Sequence, residues 1–345
     1  YILKLMTSNN YITNKLFYYW LIVSFILVFF MVLVGGLTRL TDSGLSITEW
    51  ELFEGIFPPM NNKSWNNYFD LYKQIPQYQL LNSDMTLKDF KIIFYWEYFH
   101  RVLGRVIGLF FLIPLIYFYL TKKINREYLF ICYLIFFLIV AQGIIGWFMV
   151  KSGLVNNTTV SHYRLSLHLS LAFIIISMIF WLIINIKNNS LLIVSRKKYN
   201  FLFYLLIFMI FLQIIMGAFV SGLDAGRIYQ TWPLMNYSYY PDDLDFRKII
   251  NLLDFNNHSL VQFYHRNLAY FISTYALLLG LFIYYKKMIK LYRTYLIFIF
   301  FLILQIILGI ITLISGLNIF MASAHQICSL LLTLSSIYLY FRYVN

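Results

Sequence analysis

The chain has 345 residues, of which 61% are hydrophobic and only 12% are charged, and its formal net charge is +13. This apolar content excludes a soluble domain, because a compact core of this size cannot cover so much apolar surface. It also excludes a disordered chain, and the presence of only two cysteines excludes a disulfide framework. We therefore expect an integral membrane protein.

Eight uncharged or nearly uncharged runs are long enough to cross a bilayer as helices, for which about 20 residues suffice. In chain order they are 17–37, 98–120, 128–150, 165–186, 201–222, 260–285, 294–315 and 321–341. The sequence thus predicts an all-α integral membrane protein with eight transmembrane helices. The even-numbered runs all contain histidine, whereas the odd-numbered runs contain none.

The positive charge is concentrated on one side of the predicted membrane. Segments on the N-terminal side contain 14 Lys and Arg but one acid, Glu127, whereas the opposite side contains 13 charged residues of each sign. The positive-inside rule therefore places both termini in the cytoplasm or an equivalent compartment. Because the excess charge follows the membrane, the sequence predicts no nucleic-acid-binding surface.

The two halves of the chain resemble each other in sequence. Similar segments close runs 1 and 5, open runs 2 and 6, and close runs 3 and 7, and runs 4 and 8 have one histidine each. The matched segments are 35–44 with 217–226, 97–101 with 262–266, and 142–146 with 305–309. We predict two duplicated four-helix bundles of the same orientation, 1–190 and 191–345.

Four intramembrane histidines lie at similar depth near the outer ends of their helices: His100, His168, His265 and His325. A single one would be explained by an interhelical hydrogen bond, but polar residues in spans are costly and usually functional. Imidazoles on facing helices can bind both faces of a haem, whereas zinc needs further ligands that neither half clearly supplies. We predict that His100 and His168 bind one iron. His265 and His325 would bind a second.

The residues beside these histidines differ between the halves. Arg101 and Arg266 directly follow the first histidine of each half and are candidates for binding haem propionates, with snorkelling to the interface as the alternative. Glu97 lies one turn before the histidine of run 2, and its counterpart is Gln262. A carboxylate beside only one iron ligand indicates that the first half performs chemistry. A salt bridge from Glu97 to Arg101 or Arg39 is the structural alternative.

These residues resemble the haem A synthase family. The similarity rests on the motif Glu97-Tyr-Phe-His100-Arg101, on the stretch 35–50 and on the later histidines, and it covers essentially the whole chain. The first outer loop has no cysteine pair, so the chain is similar to the cysteine-free branch found in proteobacteria and mitochondria. A thiol-based electron relay through that loop is therefore not expected.

The resemblance implies oxidation of the C8 methyl of haem O to a formyl group by two successive hydroxylations, which gives haem A for cytochrome oxidase. It implies that His100 and His168 flank the substrate haem, with Glu97 as the essential acidic residue. It also implies that His265 and His325 bind a resident haem b. The implied partners are membrane lipid, haem O synthase and a membrane electron acceptor, and an oligomer is compatible with the family.

The absence of a visible transit peptide favours a bacterial inner membrane over a mitochondrial one. Two other functions remain open on the residues alone. A bis-His cytochrome b-type electron carrier would use the same four histidines, and a duplicated bundle is also typical of transporters, including one that handles haem. Identification of the bound haems would separate an enzyme from a carrier.

Overall fold

The computed structural model describes residues 15–49, 54–155, 158–188, 190, 197–244 and 252–345. Trp50 of the stretch that resembles haem A synthase lies outside these ranges. The predicted boundary between residues 190 and 191 also adjoins residues outside them. Apart from an isolated β-bridge between Met235 and Ser238, the regular structure of the described residues is helical.

Eight helices in this part of the chain are long and apolar enough to cross a membrane, which confirms the predicted all-α class and the number of spans. They are α1 (Lys15–Leu40), α4 (Leu87–Thr121), α5 (Arg126–Gly153), α6 (His162–Lys187), α7 (Asn200–Gly222), α8 (His258–Tyr285), α9 (Tyr292–Ile314) and α10 (Ile319–Val344). Two shorter helices, α2 (Asn62–Tyr72) and α3 (Pro76–Leu81), lie between α1 and α4.

The helix α4 is longer than its predicted span because its first turns belong to a small outer cluster. Thr86 caps the helix by accepting from Asp89 N, and the Asp89 side chain accepts in turn from Thr86 N. The outer turns then pack on α2 and on the chain that follows α1. The buried apolar residues of this cluster are Leu45, Ile47, Trp65, Phe69, Tyr72, Ile75, Phe90 and Phe94. This packing brings the segment after α1 to the outer end of α4.

The spanning helices contact one another in a regular order. Helix α1 packs on α4 and α6, and α5 contacts the same two helices. In the same way α7 packs on α8 and α10, and α9 contacts both of these. Contacts of α6 with α7 and of α1 with α10 join the two sets. Helices α5 and α9 bury little of their surface in the protein, so they present most of it to lipid.

The outer ends of α1 and α7 are joined by charged groups. Arg39 pairs with Asp42 at 2.8 Å and with Asp224 at 3.2 Å, and it donates to Ser221 O at 2.6 Å. Both aspartates adopt a left-handed conformation directly after their helices. Burial raises the pKa of Asp42, although the charge of Arg39 opposes the shift. The corner after each helix is therefore fixed against the other.

Candidate functional site

His100 on α4 and His168 on α6 face each other in the first set of helices. Their ring centres lie 6.4 Å apart, and the ring planes make an angle of 57°. A metal ion bound by both rings requires ring centres roughly 6 Å apart, since each bond is about 2 Å and the nitrogen lies roughly 1 Å from the ring centre. The two side chains are thus spaced as a pair of axial ligands requires.

His265 on α8 and His325 on α10 are the corresponding pair in the second set. They occupy the positions in α8 and α10 that correspond to His100 and His168 in the sequence repeat. The Nδ1 of His325 lies 3.1 Å from Gln305 O, a contact in which the ring nitrogen donates. Donation from Nδ1 leaves the lone pair on Nε2, which faces Gln305 Nε2 at 3.2 Å, and this is the tautomer that can bind a metal through Nε2.

Each of these four imidazoles packs against a glycine on the preceding spanning helix. A Cβ on Gly35 would lie 3.1 Å from His100, and one on Gly217 would lie 3.1 Å from His265. For Gly146 and His168 the distance is 2.9 Å, and for Gly309 and His325 it is 2.8 Å. Contacts this short leave no room for a side chain. Each glycine therefore permits a histidine ring to lie directly against the neighbouring helix.

Three of these glycines follow a glutamine by one turn. Gln142 Nε2 donates to His168 O at 2.9 Å, and Gln213 Nε2 donates to His265 O at 3.0 Å. Gln305 Nε2 lies 3.2 Å from the Nε2 of His325. In the first half the fourth equivalent position, on α1, is Met31 instead. The repeated Gln-x-x-x-Gly spacing was visible in the sequence, but its link to the histidines was not part of the prediction.

Glu97 is the centre of a buried hydrogen-bond cluster at the outer end of the first site. Its carboxylate is 2% exposed, and Oε1 accepts from Arg101 Nη2 at 2.6 Å and from Arg101 Nε at 3.0 Å. The other oxygen, Oε2, accepts from Ser46 Oγ at 2.7 Å and from Ile47 N at 2.9 Å. The salt bridge considered from the sequence is therefore present, and it fixes the segment after α1. Sequence analysis missed Ser46 and Ile47 because nothing local marks them.

The second half repeats this arrangement without the carboxylate. Arg266 Nη2 and Gln262 Nε2 both donate to Tyr229 O at 2.9 Å. Arg101 Nη2 likewise donates to Ile47 O at 2.8 Å. The difference is electrostatic: among the described residues no carboxylate lies within ion-pair distance of Arg266, and its buried Nε has no hydrogen-bond partner there. The positive charge of the Arg266 guanidinium is therefore not offset by a carboxylate among the described residues.

The sequence of nearly the whole chain matches a known protein family. Residues 18–337 match the model of the family described as cytochrome oxidase assembly protein (COX15-CtaA). The chain belongs to this family. The match reaches all eight spanning helices and contains both histidine pairs.

Individual members of the family are similar along nearly their full length. The chain is 50% identical to the Heme A synthase of Pelagibacter ubique over 334 residues, which covers 97% of both chains. It is 42% identical to the Heme A synthase of Nitrosospira multiformis, over 94% of this chain and 93% of that one. The Heme A synthase of Rickettsia prowazekii is 37% identical, over 94% of this chain and 97% of that one.

The remaining histidines and cysteines of this family member lie away from the two pairs. His162 begins α6 and packs on Phe219, and His258 is an exposed residue at the start of α8. Cys132 and Cys328 are buried free thiols within spanning helices. In the part of the chain that the structure describes, no group of three or more metal-binding side chains occurs.

Proposed function

We propose that this chain is an oxidoreductase that converts haem O to haem A by oxidising the C8 methyl group to a formyl group. The observation that carries the proposal is the spacing of His100 and His168, with Glu97 one turn away on the same helix. The names of the relatives agree with it, because they are called Heme A synthase over nearly the same length of chain. The oxidation removes four electrons from the substrate carbon.

The N-terminal half, 1–190, receives the substrate haem between His100 and His168. The C-terminal half, 191–345, holds a resident haem b between His265 and His325. The support for this division is the difference between Glu97 and Gln262, since only the reacting half needs a carboxylate beside its ligand. The glycine contacts support haem in both halves, because the same close packing of a histidine ring against a glycine recurs at all four positions.

A bound haem b supplies one-electron oxidation and reduction at its iron. The chain's own residues hold the substrate and the charge around it. Glu97, oriented by Arg101 and Ser46, places a carboxylate one turn from His100, where it helps to stabilise positive charge that develops at the oxidised carbon, and the ion pair with Arg101 reduces this effect without cancelling it. Because this carboxylate already accepts four hydrogen bonds, it acts by position and charge and leaves water binding to other groups.

The two arginines contribute unequally to binding the haem propionates. Arg266 has no carboxylate partner among the described residues, so its full charge is available to the resident haem b. Arg101 shares its charge with Glu97 at 2.6 Å, so its contact with the substrate propionate is weaker. Both lie near the outer ends of the predicted membrane spans, where charged propionates avoid the hydrocarbon layer.

The setting is a bacterial inner membrane, with both termini in the cytoplasm. The charge distribution supports this orientation, since 14 basic residues against one acid lie on the side of the termini. A mitochondrial inner membrane is less favoured. Haem O synthase would supply the substrate, and a membrane electron acceptor would take the electrons.

Haem extraction with side-chain analysis tests the function. The wild type should contain haem b together with haem O and haem A, whereas Glu97→Gln should keep haem in both halves and accumulate unoxidised or half-oxidised product. Gln262→Leu is the matched control, because it changes the equivalent position of the other half and should leave the ratio of haem A to haem O unchanged. Normal haem A content in Glu97→Gln would refute the role of the carboxylate.

The wild-type extract also tests the other functions. One haem type alone would favour an electron carrier. A purified protein without a bis-His absorption spectrum would favour a transporter.

A further inference from the structure

The balance of charge at the outer rim differs between the two histidine pairs, and this difference concerns how the substrate's carboxylates are bound. The argument rests on the function proposed above. In the second half Arg266 keeps its charge, because its hydrogen bonds are to the carbonyls of Tyr229 and Leu234. In the first half the equivalent Arg101 is paired with Glu97. The first half therefore needs another cation if it is to bind an anionic haem edge equally well.

Arg164 on α6 has the position that such a cation requires. It precedes His168 by four residues, so it lies on the same face of the helix and one turn nearer the outer surface. Its Nη1 donates to Phe148 O on α5 at 3.0 Å, and its guanidinium carbon lies 3.8 Å from the centre of the Phe148 ring. Phe148 is two residues beyond Gly146, the glycine that contacts His168.

No described carboxylate forms an ion pair with Arg164. The ion pairs of the described residues involve Arg39, Lys73 and Arg101 as the cations. Stacking on an aromatic ring and one bond to a carbonyl orient a guanidinium without neutralising it. Arg164 is therefore oriented in advance and still charged.

The second half shows the complementary pattern. The residue four positions before His325 is Met321, so that half has no cation at this place. In the first half, where Arg101 is paired with Glu97, the helix of the second histidine carries Arg164. In the second half, where Arg266 has no carboxylate partner among the described residues, that helix carries Met321. Among the described residues, Arg164 in the first half and Arg266 in the second are thus guanidiniums near the outer rim for which no carboxylate lies within ion-pair distance.

We propose that Arg164 binds a propionate carboxylate of the substrate haem held between His100 and His168. A carboxylate in the hydrocarbon layer is costly, so the propionates point to the outer surface, on the side where Arg164 lies. A guanidinium can bind a carboxylate through two parallel hydrogen bonds, which orients the macrocycle as well as retaining it. This contact turns the substrate about the axis between the two histidines so that one edge of the ring faces outward.

A comparison of haem O with its dimethyl ester tests this role, because the ester keeps the macrocycle and the iron but has no carboxylate charge. Protein purified from cells that lack haem O synthase is titrated with each compound, and the change in Soret absorbance gives the affinity. The wild type should bind haem O about 10- to 100-fold more tightly than the ester, as expected for one charge-assisted interaction. Arg164→Met should lose most of this preference for haem O over the ester, with the affinity for the ester unchanged.

Two further variants complete the test. Arg164→Lys should keep an intermediate preference, because it retains the charge but loses the two-point geometry. Lys151→Met is the matched control: Lys151 is a cation at the same rim that stacks on Trp147 at 5.2 Å, and its removal should leave the preference unchanged. A purely structural role for Arg164 would weaken both ligands alike, which would overturn the proposal.

Equal binding of haem O and its ester by the wild type would also overturn it, even if Arg164→Met fails to fold. These failures differ from failure of the proposed function. If the function is wrong, haem O does not bind between His100 and His168, and His100→Ala leaves the titration unchanged. If only the role of Arg164 is wrong, haem O binds there with a preference that Arg164→Met does not alter.

Discussion

Replacing Gly146 by alanine tests whether the glycine contacts determine ligand geometry. The added methyl carbon would lie 2.9 Å from His168 Cε1, whereas ordinary contacts begin at 3.4 Å. The ring must therefore move by about 0.5 Å, the difference between these distances, or α5 and α6 must separate by that amount. A shift of this size exceeds the agreement of about 0.2 Å expected of metal–ligand distances, so it should strain the bond from His168 to a bound iron.

The expected loss of affinity follows from the cost of overpacking. An extra methyl group in a tightly packed position costs about 1–3 kcal/mol, which corresponds to roughly 5- to 150-fold weaker binding. Titration of the purified protein with haem O, followed at the Soret band, gives the affinity, and the low-spin signal reports whether both imidazoles bind the iron. The haem b of the other half should remain, since Gly146 contacts only the first pair.

Gly143→Ala provides the matched control on the same helix. A Cβ at Gly143 would have nothing within 4 Å. Alanine there should be neutral or slightly stabilising, because it restricts the unfolded chain and favours the helix by about 0.5–1 kcal/mol. Wild-type affinity and a wild-type low-spin spectrum in Gly146→Ala would refute the reasoning, and so would equal losses in the two variants.

Three other outcomes follow from the structure. Burial raises the pKa of Asp42, so the folded state favours its neutral form. The stabilisation of the fold by this neutral form is fully present below the ordinary pKa of 3.8 and is lost as the pH rises through the raised pKa. Relative to the wild type, Asp42→Asn should therefore gain in melting temperature as the pH rises above 3.8, and a gain that is constant with pH would contradict this. Cys132→Ala with Cys328→Ala should keep haem A production, since both thiols are buried and unpaired, and loss of haem A with retained haem would show that a thiol takes part. In that background Asp70→Cys should react with an impermeant maleimide outside intact cells and Lys123→Cys only after lysis; the reverse pattern would invert the orientation.

The number and limits of the spans were readable from the sequence because lipid imposes a simple length requirement on apolar runs. Helix α4 departs most from its predicted span, since the turns from Leu87 onward pack on the outer cluster and not in the membrane. No hydropathy pattern separates such an extension from a loop. The side-chain partners around Glu97 were equally hidden, because Ser46 lies 51 residues away in the chain.

The sequence by itself determined that this is an eight-span membrane protein, that histidine occurs on alternate spans, and that Glu97 has a neutral counterpart in Gln262. These are properties of composition and residue order, and the membrane topology follows directly from the length and charge of each segment. Only the tertiary structure decided that the ring centres of His100 and His168 lie 6.4 Å apart, that a glycine lies behind each imidazole, and that Arg101 is paired with Glu97 whereas Arg266 has no carboxylate partner among the described residues. Those facts depend on how each helix is rotated and how closely it approaches its neighbour, and lipid does not fix either, since it is as apolar as the helix surfaces it covers.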